Sequence, residues 1–285
     1  MDRHPSYSPT VRRRRLSAEL RRMREQCGYT TSEVAERAGW TQSKVTKIEL
    51  GERRNVTTQD LTTLLDVYGI EDERVREALH RLAREAKERG WWSRYRDVFT
   101  DSLPDFESEA TTIRSYQCQV IPGLLQLPDY TEAVFKGGQV HDPNVVERAV
   151  AARLRRQEIL NRYDPPTFWA VLDEAAVRRT IGGPEVMRKQ LQHLIHMAAR
   201  HNITIQVIPN SAGAHIGLLG SFVILDFPEP LDPSIAYAET YTASLLLEAP
   251  EELKVFKNVF GHLLGSAMSA AESVAFIEDA MTSME

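Results

Sequence analysis

Four side chains at residues 42–47, Gln42, Ser43, Thr46 and Lys47, carry the hydrogen-bonding chemistry needed to read the edges of nucleobases. A glutamine can pair bidentately with adenine, and a lysine can reach the O6 and N7 of guanine. Serine and threonine are less selective, and a threonine methyl or hydroxyl can meet thymine. For these groups to work together they must stand on the outer side of one short helix, near its N-terminus.

The surrounding sequence supplies that helix. Residues 30–51, TTSEVAERAGWTQSKVTKIELG, predict two short helices joined by a turn at Gly39. Thr30 and Glu33 have the spacing of a capping box, with Tyr29 and Val34 as its hydrophobic staple. Thr41 is expected to repeat the N-cap, with Trp40 and Val45 as a second staple. Thr57 and Asp60, flanked by Val56 and Leu61, predict another helix start. Apolar residues recur at helical spacing: Leu16, Leu20, Met23 and Cys27, then Val34, Ala35 and Ala38, then Val45 and Ile48, then Leu61, Leu64, Leu65 and Tyr68. Gly39 and Gly51 supply the left-handed backbone that closes the second and third helices. Four helices in this order, with a polar outer face on the third, predict a helix-turn-helix whose second helix is expected to enter a DNA major groove.

Cations flank that helix. Lys44, Arg53 and Arg54 are placed for phosphates, and Thr41 and Thr31 stand at the two helix starts. The run Arg12-Arg13-Arg14-Arg15 is expected to precede the first helix, with Arg14 and Arg15 on the DNA backbone or in a minor groove as an arm; a solvated basic end is the alternative. Glu49 is expected to turn inward and orient a basic neighbour. Residues 1–96 hold 21 Lys and Arg against 15 Asp and Glu, a net of +6, whereas the remainder holds 14 against 25, a net of −11. A basic head on an acidic body is steered head-first onto phosphate.

The stretch from Leu16 to Tyr68 resembles the XRE, or lambda-repressor-like, helix-turn-helix domain. The elements that carry the resemblance are Thr30, Ala35, Gly39, Thr41-Gln42 and Ile48-Glu49-Leu50-Gly51. It implies sequence-specific binding of double-stranded DNA, with Gln42, Ser43, Thr46 and Lys47 as base readers. The family's usual glutamine at the first position of the second helix contacts a phosphate or supports a base-reading side chain; this chain carries Thr31 there.

A length of 285 residues allows two domains, each with its own core. The divisions expected are a DNA-binding domain at 1–70, a helical linker at 71–97 and an α+β domain at 98–285. In the linker, Val75, Leu79, Leu82 and Ala86 form a stripe, and Trp91, Trp92 and Tyr95 mark its docking point. Two cysteines, Cys27 and Cys118, suggest neither a disulfide framework nor a zinc cluster. The polar N-terminus is unlike a signal peptide, and no apolar run is long enough to span a bilayer, so a cytoplasmic protein is expected.

Beyond residue 97, strands are expected at 168–172, 203–208, 222–227, 235–239 and 245–247. Helices are expected after Pro128, over 143–163, from Glu174, from Pro184, and over 250–265 and 269–282. The fold class is α+β: an all-α helix-turn-helix bundle followed by a domain with a small mixed or antiparallel sheet. The strings IPGLLQ, VLDEAAVRR, IGGPEVMRKQLQHL, ITIQVIP, SAGAH and GSFVILDF resemble the C-terminal domain of actinobacterial antitoxin-like regulators of the Scr and WhiJ type. That resemblance implies no catalysis and a small co-encoded protein as partner.

Catalytic and metal chemistry find little support. His193, His196 and His201 do not share one helix face, and no carboxylate or cysteine accompanies them. The glycine-rich segment 213–221 lacks the Lys-Ser/Thr of a phosphate loop and reads as a flexible loop, or else as the lip of a ligand or partner site with His215 as its ionisable group. Asp173 and Glu174 are explained by helix capping rather than by paired-acid catalysis. No enzyme, cofactor or metal is expected. The function expected is a regulator that binds as a homodimer to half-sites about 34 Å apart. An interaction protein that neutralises a co-encoded partner, or a ligand-sensing regulator, are the alternatives.

Overall fold

A computed structural model describes residues 9–53, 55–87, 95, 98, 103–228, 234–240 and 244–284. The chain divides into two compact units.

Among the described residues, the N-terminal unit is a bundle of five helices: α1 (Pro9–Gln26), α2 (Thr31–Ala38), α3 (Gln42–Glu49), α4 (Thr58–Val67) and α5 (Glu73–Glu85). Leu16, Leu20, Val34, Val45, Ile48, Leu61, Leu64 and Leu65 are almost wholly removed from solvent and form one core. Each such side chain contributes roughly 1.5–3 kcal/mol through its burial. Cys27, a free thiol, packs half-buried against that core. The capping boxes at Thr30–Glu33 and Thr57–Asp60 both form. Thr41 occupies the N-cap position of α3, but its side chain makes no capping bond; residue 44, three positions on, is a lysine and has no carboxylate to return the contact.

Two expectations change here. The arginine run is not an arm ahead of the first helix: α1 begins at Pro9, and Arg12 to Arg15 lie half-buried within it, with Arg12 3.5 Å from Glu85 of α5. The segment read as a linker contains α5, whose Leu79, Leu82 and Ala83 enter the same core as α1 and α4. The apolar stripe of Val75, Leu79 and Leu82 faces the bundle. Trp91 and Trp92 lie outside the described residues.

The C-terminal unit is built on a six-stranded mixed sheet of β1 (Thr112–Gln117), β2 (Thr167–Asp173), β3 (Ile203–Ile208), β4 (Phe222–Asp226), β5 (Ile235–Glu239) and β6 (Ser244–Leu247). The order is β3-β2-β1-β4-β5-β6; β1, β2 and β3 are parallel, and the other pairs are antiparallel. Around it stand α6 (Leu103–Glu109), α7 (Pro128–Gly137), α8 (Pro143–Gln157), α9 (Glu174–Arg178), α10 (Pro184–Ala198), α11 (Pro250–Ser266) and α12 (Ala270–Thr282). Phe260 and Leu263 of α11 pack on Tyr116, Val171, Phe222 and Ile224 of the sheet. α10 and α12 pack on each other and on β3.

β1 and α6 were not expected. β1 lies at the centre of the sheet yet reads Thr-Ile-Arg-Ser-Tyr-Gln, without an apolar run. Its Arg114 is matched by Asp226 of β4, so the charge that hides the strand in the sequence is paired in the fold. The helix expected over 143–163 ends at Gln157 and tightens into a 3-10 turn over Glu158–Asn161.

Candidate nucleic-acid interface

α2 and α3 meet through the turn at Gly39, which has φ 68° and ψ 33°. This left-handed conformation is costly for a residue with a Cβ, although no atom lies within 4 Å of where one would sit. The turn points Val34 and Ala35 of α2 and Val45 and Ile48 of α3 into the core, leaving the other side of α3 to solvent.

The C-terminal end of α3 is bound to α1. The Ser17 hydroxyl donates to the Ile48 carbonyl at 2.6 Å. Arg24 donates to both carboxylate oxygens of Glu49, Nε to Oε1 at 2.8 Å and Nη2 to Oε2 at 3.0 Å, and Nη1 donates to the Tyr29 carbonyl at 2.7 Å. The Glu49 hydrogen bond, against the opposing effect of burial, raises the Arg24 guanidinium above its ordinary pKa. Glu49 thus turns inward, as its sequence position suggested, and fixes the axis of α3.

Gln42, Ser43 and Lys47 are exposed, and Thr46 is half-buried beside them. The Gln42 amide donates to the hydroxyl of Thr31, the first residue of α2, at 3.1 Å. Thr41 is also exposed. Thr31, expected among the DNA-contacting residues and standing where the resembled family carries glutamine, thus holds the Gln42 amide through its hydroxyl.

The expected phosphate-binding cations are placed differently. Lys44 turns back: its Nζ lies 2.6 Å from Asp60 Oδ1 and 3.4 Å from the centre of the Trp40 ring. Arg53 lies 3.4 Å from the other Asp60 oxygen and donates to the Asn55 carbonyl at 3.3 Å. Asp60 therefore caps α4 and partly neutralises two cations, a role that its capping position alone did not reveal. Burial pushes the Asp60 carboxyl up, but Lys44 and the Thr57 backbone and hydroxyl outweigh it and hold the group below its ordinary range. Arg14 and Arg15 belong to α1, and Arg54 lies outside the described residues.

In the C-terminal unit, His193 and His196 line a groove with Leu127, Arg188, Lys189, Gln192 and Met281. Burial, assisted by His196, lowers the pKa of His193. Asp173 caps α9, accepting from the Ala175 amide at 2.9 Å, and also lies 3.2 Å from His215. Glu174 accepts from Arg178 and from the Asn210 amide. Among the described residues no helix is long and apolar enough to cross a membrane.

Comparison with known proteins agrees with this division. Residues 15–79 match the family model of a helix-turn-helix domain, which supports a DNA-binding regulator. Residues 100–279 match the model of a domain of unknown function, DUF5753. Searches of curated proteins and of solved structures find no match. The second model spans more than half of the chain, and the protein accordingly belongs to the DUF5753 family, with a helix-turn-helix domain at its N-terminal end.

Proposed function

We propose that the protein is a sequence-specific transcriptional regulator of the lambda-repressor-like type, working in the cytoplasm as a dimer on an inverted-repeat operator. α3 docks in the major groove, and Gln42, Ser43, Thr46 and Lys47 meet base edges. Thr31, Thr41, Arg53 and Arg54 approach the backbone, as do Arg14 and Arg15 from α1, and Lys44 joins them on release from Asp60. The observation that carries this reading is the Gln42–Thr31 hydrogen bond, which holds an exposed base-reading amide at the N-terminus of α3. The C-terminal unit serves dimerisation and the binding of a small co-encoded protein, and performs no catalysis. A mobility-shift series on the promoter of the protein's own operon tests the assignment. Specific complexes at physiological salt are expected, and binding that does not distinguish operator from scrambled sequence overturns it.

One observation favours a second, compatible reading as an antitoxin-like interaction protein. Among the described residues β6 is an edge strand, and its Leu245 and Leu246 are substantially exposed. An unpaired apolar edge is where an added strand from a partner finds hydrogen bonds and side-chain contacts. Co-purification of the full chain with the product of the adjacent small gene, lost on replacing Leu246 by Lys, tests it.

A further inference from the structure

The connection from β3 to β4 has to travel. β3 lies at one edge of the sheet, and β4 lies antiparallel on the far side of β1. Residues 209–221 therefore cross above the carboxyl ends of the parallel strands β2 and β1, where ligands commonly bind in open α/β sheets. The crossing consists of two 3-10 turns, Asn210–Ala212 and Ile216–Leu219. Each is followed by a glycine with positive φ: Gly213 (φ 71°, ψ −145°) and Gly220 (φ 140°, ψ 171°). Such backbone is open to glycine and strained for other residues.

Beneath this crossing lies a buried polar cluster. His215 Nε2 is 3.2 Å from Oδ2 of Asp173, the last residue of β2. The Tyr116 ring stands perpendicular to His215, with centroids 6.3 Å apart. Gly217 rests on the phenolic end of Tyr116; a Cβ there would come within 2.5 Å of Cζ and 2.6 Å of the hydroxyl. The Tyr116 hydroxyl is thus aimed at the crossing turn. Tyr116 is fully buried and the His215 side chain is only 7 % exposed, yet the Tyr116 hydroxyl and His215 Nδ1 have no hydrogen-bond partner among the described residues. The outer side of the same turn is apolar, with Ile216, Leu218 and Leu219 exposed by 45, 65 and 95 %.

We infer that residues 209–221 form a lid over a binding site for a small amphipathic molecule, whose carbonyl or carboxylate oxygen accepts from the Tyr116 hydroxyl and whose apolar body is covered by Ile216, Leu218 and Leu219 once the lid has opened and closed over it. Burial raises the Tyr116 pKa and keeps its proton in place, so the hydroxyl serves as a donor. A phenylalanine would fill the same ring volume without leaving a buried hydroxyl unsatisfied, and polar residues would solvate the lid better than two leucines. Both departures are accounted for by a ligand that opens the lid about Gly213 and Gly220. The site goes beyond the proposed reading of DNA and does not depend on it.

Octanoate is the probe, titrated calorimetrically into the full-length protein without DNA, so that the outcome is independent of operator recognition. Saturable binding at one site per chain is expected. Tyr116→Phe should weaken it by about tenfold or more, the scale of one hydrogen bond to a charged oxygen, while leaving the thermal midpoint of the free protein unchanged or higher. Leu219→Ser should also weaken octanoate without lowering that midpoint. No saturable binding to the unaltered protein overturns the assignment. So does equal binding by Tyr116→Phe, or a Tyr116→Phe protein that melts earlier, since the hydroxyl would then have a structural partner.

Discussion

The amide of Gln42, at the start of α3, donates to the hydroxyl of Thr31, at the start of α2, across 3.1 Å. If Gln42 reads a base as proposed, a side chain held in this way loses less freedom on binding than one that is free to turn. Gln42→Ala should remove discrimination at one base pair worth about 1–3 kcal/mol. Thr31→Val should lower selectivity at the same base pair and leave the salt dependence of binding almost unchanged. Competition mobility shifts with single-base operator variants measure both, and a uniform loss across all positions would show that Gln42 touches phosphate instead.

The three threonines at helix starts are not equivalent. Thr30 and Thr57 accept the N3 amide, whereas Thr41 makes no side-chain cap bond. Thr30→Ala should therefore cost about 1 kcal/mol of stability, and Thr41→Ala less than about 0.5 kcal/mol. If Thr41 contacts the DNA backbone, Thr41→Ala should weaken binding while leaving the denaturation curve in place.

Arg24 and Glu49 form a two-point ion pair, with their side chains only 12 % and 5 % exposed. Removing Glu49 leaves the largely buried Arg24 with the Tyr29 carbonyl and, at 3.6 Å, Glu25. Glu49→Ala should destabilise the bundle by about 1.5–3 kcal/mol, the scale of hydrogen bonds to a charged group, read as a lowered midpoint in urea. Replacing both residues with apolar side chains of similar volume should recover much of the loss; a double variant no better than Glu49→Ala would disprove this account.

Asp60 gives the bundle an acid-sensitive contact. Its folded pKa lies below the ordinary value of 3.8. The stabilisation is therefore complete above that value and is lost as the pH falls through the lower, folded pKa. Acid titration of the bundle's stability should be shallower in Asp60→Asn than in the unaltered protein. The same variant should free Lys44 and strengthen non-specific DNA binding at low salt, provided the bundle stays folded. Parallel acid titrations of the two proteins would exclude Asp60 as the source.

The bundle was largely legible because its information is local. Capping chemistry at Thr30 and Thr57, the apolar spacing and Gly39 each act within a few residues. What failed depended on long-range partners. α5 looked like a linker because only its packing on α1 identifies the destination of the stripe of Val75, Leu79 and Leu82. Lys44 looked free because Asp60, sixteen residues away, was assigned to capping alone. β1 was hidden because Arg114 and Gln117 fall on opposite faces of the strand and break any apolar–polar alternation, although the neighbouring strand supplies Asp226 to Arg114. The Tyr116–His215–Asp173 cluster joins three distant segments, and only the sheet order brings them together.

β1 is the first strand to be synthesised, yet it is flanked only after residues 167–173 and 222–226 have been made. The helical head, closed by contacts within residues 9–85, can fold long before that. A polypeptide cut short before β4 would carry a finished head on a half-sheet, with an open β1 edge bearing Ile113 and Tyr116. Such edges aggregate. Incomplete products would accordingly tend to leave solution, and fewer of them would remain to occupy chromosomal sites ahead of intact molecules.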